Sequence, residues 1–228
     1  KGEVIAKVKV ALTCGTDVKT FQRGHPLIEK RVREKRPPIF GHEWAGDIVE
    51  VGPDVKDLKV GMRVVAADIP NPCLKCYFCK KGLYNLCENP IVVSGAYAEY
   101  IKIPRWVVET GGVLRIPDNL SYEEAAMYEP LACCVHAINR TNIRLGDNVA
   151  IIGSGPIGLL FLQLSRMRGC KKVIVIDMVD YRLKMAEKLG ADEIINAKYD
   201  DPVEKVRSIT NGYGADVVIE AVGTPDTW

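Results

Sequence analysis

Short apolar runs of period two, punctuated by Gly and Pro, fill the first half of this chain. Val4–Ala11, Ala45–Val51, Arg63–Ala67 and Ala98–Ile103 read as strands. Gly52-Pro53-Asp54 and Val60-Gly61 supply turns between them. Strands following strands predict an all-β unit, a barrel or a partly open one. A cysteine-rich insert interrupts it between Pro72 and Asn89. The stretch Glu29–Arg36 mixes both charges ahead of Pro37-Pro38 and reads as a solvated loop.

From Asn119 onward the period changes. Ser121, with Glu123 and Glu124 behind it, reads as a helix start. Val149–Ile152, Val173–Ile176, Ile194–Ile195 and Val217–Ala221 are apolar strands. Pro156–Arg168 has helical period with Pro in its first turn. Tyr181–Leu189 is a helix stopped by Gly190, and Asp201-Pro202 opens another. Alternating strand and helix predict a parallel, doubly wound sheet. The expected organisation is a β domain over residues 1–118, with its cysteine lobe at 72–89, and a doubly wound domain over 119–228. The chain opens on Lys1 without Met and stops just after a strand, whereas a sheet of this type needs two more βα units. A fragment is therefore expected.

Composition narrows the class without naming it. Hydrophobic residues at 47% and charged residues at 26% are the profile of a globular domain, and no apolar run is long enough to span a bilayer. The formal net charge of +2 gives no reason to expect nucleic acid or an acidic membrane as a partner.

The eight cysteines carry more. Cys73-x2-Cys76-x2-Cys79-x7-Cys87 is dense enough to saturate one tetrahedral zinc, and a closed site of that kind is structural. The spacing argues for metal in a reducing, cytoplasmic compartment rather than for disulfides. Cys133, Cys134 and Cys170 read as small buried residues.

Gly153-Ser154-Gly155-Pro156-Ile157-Gly158 follows a strand and opens a helix, the context in which this fingerprint binds a dinucleotide. Gly153 permits the tight turn, Gly155 lets the backbone approach a pyrophosphate, and Gly158 allows close helix packing. The helix N-terminus then faces the phosphates. Asp177 ends the next strand, where a carboxylate accepts ribose hydroxyls and repels a 2′-phosphate. That favours NAD over NADP, while Arg182 nearby keeps NADP open. Three further residue types suit zinc: Cys14 in Cys14-Gly15-Thr16-Asp17, His42-Glu43 after Gly41, and Glu129 before Pro130-Leu131. On chemistry alone each is ambiguous, because a lone His more often satisfies a core and sequence separation says nothing of proximity.

Gly41-His42-Glu43-x2-Gly46-x5-Gly52-x2-Val55 resembles the signature of zinc-containing alcohol dehydrogenases of the medium-chain dehydrogenase/reductase family. The Cys14–Asp17 motif, the cysteine lobe, the glycine-rich loop and Asp177 follow in that family's order. The resemblance implies a GroES-like catalytic domain joined to a Rossmann domain. It implies two zincs per chain, NAD, and a homodimer or homotetramer. It gives Cys14 and His42 as catalytic zinc ligands, with Glu43 binding directly in some states and Glu129 at the third-ligand position. Thr16 matches the hydroxyl that relays the proton, and Asp17 the carboxylate that orients the zinc-bound imidazole. Glu129-Pro130-Leu131 is most similar to the sorbitol and threonine dehydrogenase branches. Where many members carry a relay His three residues after that hydroxyl, this chain has Lys19.

The implied activity is reversible oxidation of a secondary alcohol or polyol by hydride transfer. A polyol, a secondary alcohol and an amino-acid alcohol all remain open as substrate. Two rivals stand against it: a zinc-free quinone or enoyl reductase of the same architecture, and a nucleotide-binding relative without catalysis. The Cys14, His42 and Glu43 set disfavours both.

Overall fold

The structure, a computed structural model, describes residues 1–24, 29, 32–35, 39–68 and 71–227. It divides into two compact units, Lys1–Glu129 and Pro130–Trp228.

In the first unit β1 (Val4–Ala11), β2 (Trp44–Val51), β3 (Arg63–Ala66), β4 (Tyr100–Ile103) and β5 (Val113–Arg115) form an antiparallel sheet in the order β4-β1-β2-β3-β5. Alternation sorts their side chains. Val4, Ala6, Ile48, Val64, Ala66, Ile101 and Ile103 share one core, while Ala45 and Val65 pack with Ile116, Ala125 and Ala126 in another. Register fixes what meets at the sheet ends. Ala11 lies opposite Trp44, and Gly46 opposite Val64. β1 shifts register between Val8 and Val10, where Val8 faces Gly46. A Cβ on Gly46 would stand 2.2 Å from the Lys7 carbonyl oxygen, so the close approach of the two strands requires glycine there.

The helices are α1 (Gly15–Arg23), α2 (Tyr77–Lys80), α3 (Arg105–Glu109), α4 (Tyr122–Ala126), α5 (Tyr128–Arg140), α6 (Pro156–Met167), α7 (Asp180–Lys188) and α8 (Pro202–Ile209). Ser121 caps α4 as its sequence suggests. Its hydroxyl accepts from Glu124 N at 3.1 Å, and the Glu124 carboxylate accepts from Ser121 N at 2.7 Å. The periodicity did not reveal α1, α3, α5 or β5. α3 and β5 are too short to show a period. Pro130 breaks the pattern of α5 in sequence, yet the first turn of a helix tolerates it. The mixed-charge stretch 29–36 and Pro37-Pro38 lie in part outside the described residues. Of those described, 29, 32 and 33 are helical rather than loop.

In the second unit β6 (Asn148–Ile152), β7 (Lys172–Asp177), β8 (Glu193–Asn196) and β9 (Val217–Glu220) form a parallel sheet in the order β8-β7-β6-β9. Val149, Ile151, Val173, Val175 and Ile219 pack on Ile138, Phe161, Leu162 and Leu183. Ala150, Ile174, Ile176 and Ile195 pack on Val206 from the other side. Helices cover both faces, and the sheet is doubly wound. β7 and β8 extend from one side of β6 and β9 lies on the other, so the C-terminal end of β6 is the topological switch point.

One burial expectation is corrected. Cys134 is buried and Cys170 half-buried, but Cys133 is exposed. Adjacent helical positions lie about 100° apart and do not share a face. Among the described residues no helix is long and apolar enough to cross a membrane.

Leu162, fully buried, and Leu145, 86% exposed, give a test of this core. Leu162→Ala is expected to cost about 3 kcal/mol of unfolding free energy, and Leu145→Ala less than about 0.5 kcal/mol. Denaturant midpoints at constant m-value measure both.

Candidate functional site

The β1–β2 ladder brings the scattered Cys14, His42 and Glu43 to one place. β1 ends at Ala11, opposite the first residue of β2, and Leu12 N donates to Glu43 O at 2.8 Å. Cys14, just beyond β1, and His42-Glu43, just before β2, therefore meet. Their ligand atoms lie within 4.8 Å of one another. Cys14 is the N-cap of α1, and its sulfur accepts from Thr16 N at 3.4 Å. The positive end of that helix suits an anionic sulfur.

Asp17, 7% exposed, gathers the surrounding backbone. Its carboxylate accepts from Cys14 N and from Gly41 N, each at 3.2 Å, and from the Tyr97 hydroxyl at 3.0 Å. Its Oδ1 stands 3.5 Å from His42 Nδ1, the kind of partner that orients an imidazole ligand. Glu129 falls outside the convergent trio, but its charge acts on both Glu43 and Asp68. Thr16 and Lys19 are exposed on the first turns of α1.

Asp68 escaped the sequence reading. β2 and β3 pair with Gly46 opposite Val64, Asp68 follows the end of β3 and His42 precedes β2, and the charge of Asp68 acts on His42. An acid directly after an apolar strand was the available signal. Asp68 is 6% exposed, and its Oδ1 has no hydrogen-bond partner among the described residues. Burial, with the neighbouring acids, pushes its carboxyl up to about 7 despite the opposing pull of His42. Burial likewise raises Glu43. His42 is raised to about 9, first by its hydrogen bond with Cys14, against burial, and then by the charges of Asp68 and Asp17. One imidazole thus faces a thiol and three acids, Asp17, Glu43 and Asp68. A site that holds a proton this firmly also favours a cation, and its Cys/His/Glu donors fit zinc.

The cysteine lobe is a separate centre. Its neck is closed by the Asn71–Ile91 bridge and by Trp106 Nε1 donating to Pro72 O at 2.8 Å. Cys73, Cys76, Cys79 and Cys87 bring their sulfurs within 4.8 Å of one another, with Cys73 and Cys79 at 4.0 Å. The edge of a zinc–thiolate tetrahedron is about 3.8 Å, so the cage fits that ion. Cys73 N and Asn89 N both donate to Cys87 Sγ at 3.3 Å. Backbone N–H groups of Glu88 and Cys79 hold the Cys76 thiol down at about 6, while burial pushes Cys79 up to about 12.

In the second unit the glycine-rich loop lies at the switch point. Gly153 has φ +99°, and its added Cβ would meet Val222 at 2.8 Å. A Cβ on Gly158 would stand 1.8 Å from Gly153 O. Gly155 differs, with φ −70° and open space where a Cβ would go. No protein atom requires glycine there, which fits a ligand that approaches the backbone closely. No side chain caps α6, so the N–H groups of Ile157 and Gly158, behind Pro156, face outward for phosphates. Asp177 Oδ2 accepts from Ser154 N at 2.7 Å and Ser154 Oγ at 2.9 Å; Oδ1 accepts from Met178 N at 2.7 Å and Val179 N at 2.9 Å. Burial opposes the charge on Asp177, but these bonds hold its carboxyl below the usual range. Ser154 was missed as a partner of Asp177. Arg182 lies against the Tyr181 ring, 5.9 Å from its centroid.

Comparisons with known proteins agree with this geometry. Residues 1–118 match the family model of the alcohol dehydrogenase GroES-like domain, and residues 156–228 that of zinc-binding dehydrogenase. A sorbitol dehydrogenase of Bacillus subtilis (strain 168) is 41% identical over 228 residues, covering 98% of this chain and 62% of its own length. An L-threonine 3-dehydrogenase of Caldanaerobacter subterraneus is 37% identical over 230 residues, with 98% and 62% covered. A solved structure from Sinorhizobium meliloti 1021, described as a zinc-binding dehydrogenase bound to NADP, superposes with TM-score 0.85 at 33% identity, covering 99% of this chain and 64% of that one. The chain thus spans 62% of the length of these two curated relatives.

Two glycines of the loop separate packing from ligand contact. Gly155→Ala is expected to leave the melting temperature within about 1 °C and to abolish dinucleotide binding, whereas Gly158→Ala is expected to lower the melting temperature by about 4 °C or more. Calorimetry and NADH fluorescence titration report the two effects. Cys76→Ser is expected to remove one metal equivalent per chain, read by atomic emission, and leave the site at Cys14 and His42 loaded.

Proposed function

The chain belongs to the zinc-containing alcohol dehydrogenase family of the medium-chain dehydrogenases, and from that premise we propose that it catalyses reversible, NAD-linked oxidation of a small secondary alcohol or polyol. The observation that carries the proposal is the convergence of Cys14, His42 and Glu43 in a buried, acid-rich site. The nucleotide loop in the same chain supports it. Sorbitol and L-threonine, the substrates named for two relatives, both present a hydroxyl on a secondary carbon. They favour a polyol or an amino-acid alcohol over a simple primary alcohol.

Cys14 and His42 would hold the reactive zinc together with an acid, Glu43 or Glu129. The four lobe cysteines would hold a second, structural zinc. When bound, the reactive zinc lowers the pKa of the substrate hydroxyl as a Lewis acid, and the nicotinamide accepts hydride from the carbinol carbon. Asp17 keeps the His42 imidazole in one tautomer and one orientation. The Thr16 hydroxyl takes the substrate proton and hands it outward along the exposed start of α1, where Lys19 replaces the usual imidazole. Gly153–Gly158 and the first turn of α6 bind the pyrophosphate. Asp177, held by Ser154, faces the adenosine ribose and favours NAD over NADP. Arg182, turned onto Tyr181, takes no part in that choice.

Metal content per chain of the full-length enzyme, followed by NAD and NADP reduction over sorbitol, threonine, butanediol and simple alcohols, tests this reading. Two zincs and turnover of one class are the expected result. Zinc in the lobe alone with no turnover would overturn it. Cys14→Ala is expected to keep the lobe zinc and lower kcat/KM by about 10³-fold or more, since Lewis-acid stabilisation is worth several kcal/mol at one decade per 1.4 kcal/mol.

A further inference from the structure

Tyr97 belongs to no motif and is 48% exposed, yet its hydroxyl lies 3.0 Å from Asp17 Oδ2 and 2.9 Å from Leu12 O. Its ring lies on Gly41. A Cβ on Gly41 would stand 2.6 Å from Tyr97 Cδ1, and the backbone there has φ +84°, a conformation glycine adopts freely. The segment around Tyr97 grips the same residue from the other side. Gly95 N and Ala96 N donate to Gly41 O at 2.9 and 3.1 Å, Ser94 Oγ donates to it at 3.3 Å, and Tyr97 N donates to Phe40 O at 3.3 Å. Gly41 N in turn donates to Asp17 Oδ1 at 3.2 Å.

The result is a chain of contacts that runs from a half-exposed phenol to Asp17 and on to His42 Nδ1, 3.5 Å beyond. Tyr97 also fixes the backbone immediately before His42. A cavity of about 590 Å³ lies along Asp17 and Tyr97 and is bordered by Thr13, Val18, Phe21 and Phe40, but by none of Cys14, His42 or Glu43. Asp17 is held there by its side-chain bonds to Cys14 N, Gly41 N and the Tyr97 hydroxyl.

We propose that Tyr97 is a positioning residue for the reactive metal, acting through Asp17 to hold the His42 ring in the orientation that binds it. The inference rests on the reading of Cys14, His42 and Glu43 as a metal site. The single phenol proton, shared between Asp17 Oδ2 and Leu12 O, gives a neutral donor to the carboxylate that lies against His42 Nδ1. Without that donor, Asp17 Oδ2 keeps Cys14 N alone among the described residues.

The test uses the full-length protein with Co²⁺ in place of zinc, and compares wild type, Tyr97→Phe, Asp17→Asn and the double variant. Tyr97→Phe keeps the ring on Gly41 and removes only the hydroxyl. Chelator competition, followed through the visible Co²⁺ bands, reads the affinity of the site at Cys14 and His42. The cysteine lobe in the same molecule serves as the control for folding. Tyr97→Phe is expected to weaken the reactive site about 10-fold, to leave lobe occupancy unchanged, and to lower kcat with little change in KM for NAD. In the Asp17→Asn background the same substitution is expected to change affinity less than about 2-fold, because its route is already cut. Wild-type affinity in Tyr97→Phe, or equal losses in both backgrounds, would overturn the inference while leaving the metal site standing. A wild-type protein that holds cobalt in the lobe alone overturns the metal site and this inference with it.

Discussion

The pairing of β1 with β2 is the constraint on which the first unit depends. Its register sets Ala11 opposite Trp44, so the residues that leave β1 and those that enter β2 must meet. Cys14 comes from one side of that junction and His42 and Glu43 from the other. A slip of one residue would turn every side chain of a strand to the opposite face. The buried alternation of Val4, Ala6 and Ile48 therefore holds the reactive centre as firmly as any bond within it. The same ladder explains Gly46, whose position against Lys7 leaves no room for a side chain.

The two clusters of candidate ligands are held by different physics. In the lobe the ligands neutralise one another's demands through backbone N–H donors to sulfur, as Cys73 N and Asn89 N do for Cys87. At the sheet end the backbone donors go to Asp17, from Cys14 N and Gly41 N, and to Cys14 Sγ, from Thr16 N. Glu43, Asp68 and Asp17 act on one imidazole, Glu129 acts on Glu43 and Asp68, and among the described residues Asp68 Oδ1 has no hydrogen-bond partner. An excess of buried negative charge is costly unless a cation sits within it. The lobe is thus close to satisfied by its own backbone, while the sheet-end site carries a standing demand for positive charge.

Much of this was legible in the sequence, and the gaps have physical causes. Residues that act through local geometry were readable. The spacing of the four cysteines, the Ser121 cap and the glycines of the β6–α6 turn all act within a few residues of one another. The parallel sheet followed from the alternation of strand and helix after Asn119, with short apolar runs such as Val173–Ile176 as its strands. Residues that act across strands were not readable. Asp68 reaches His42 only through the β2–β3 register, Tyr97 reaches Asp17 from eighty positions away, and Ser154 meets Asp177 only once β6 and β7 lie side by side. Cys133 and Cys134 were read alike because composition carries no phase along a helix.

The lobe ligands all fall between residues 73 and 87, within one knuckle and one short helical turn. The other set spans Cys14 to Glu43 and comes together only after two strands have registered. Closing a short local loop is fast, whereas non-local strand pairing is slow. The four sulfurs can therefore gather early, whereas Cys14, His42 and Glu43 meet only once β1 and β2 have paired.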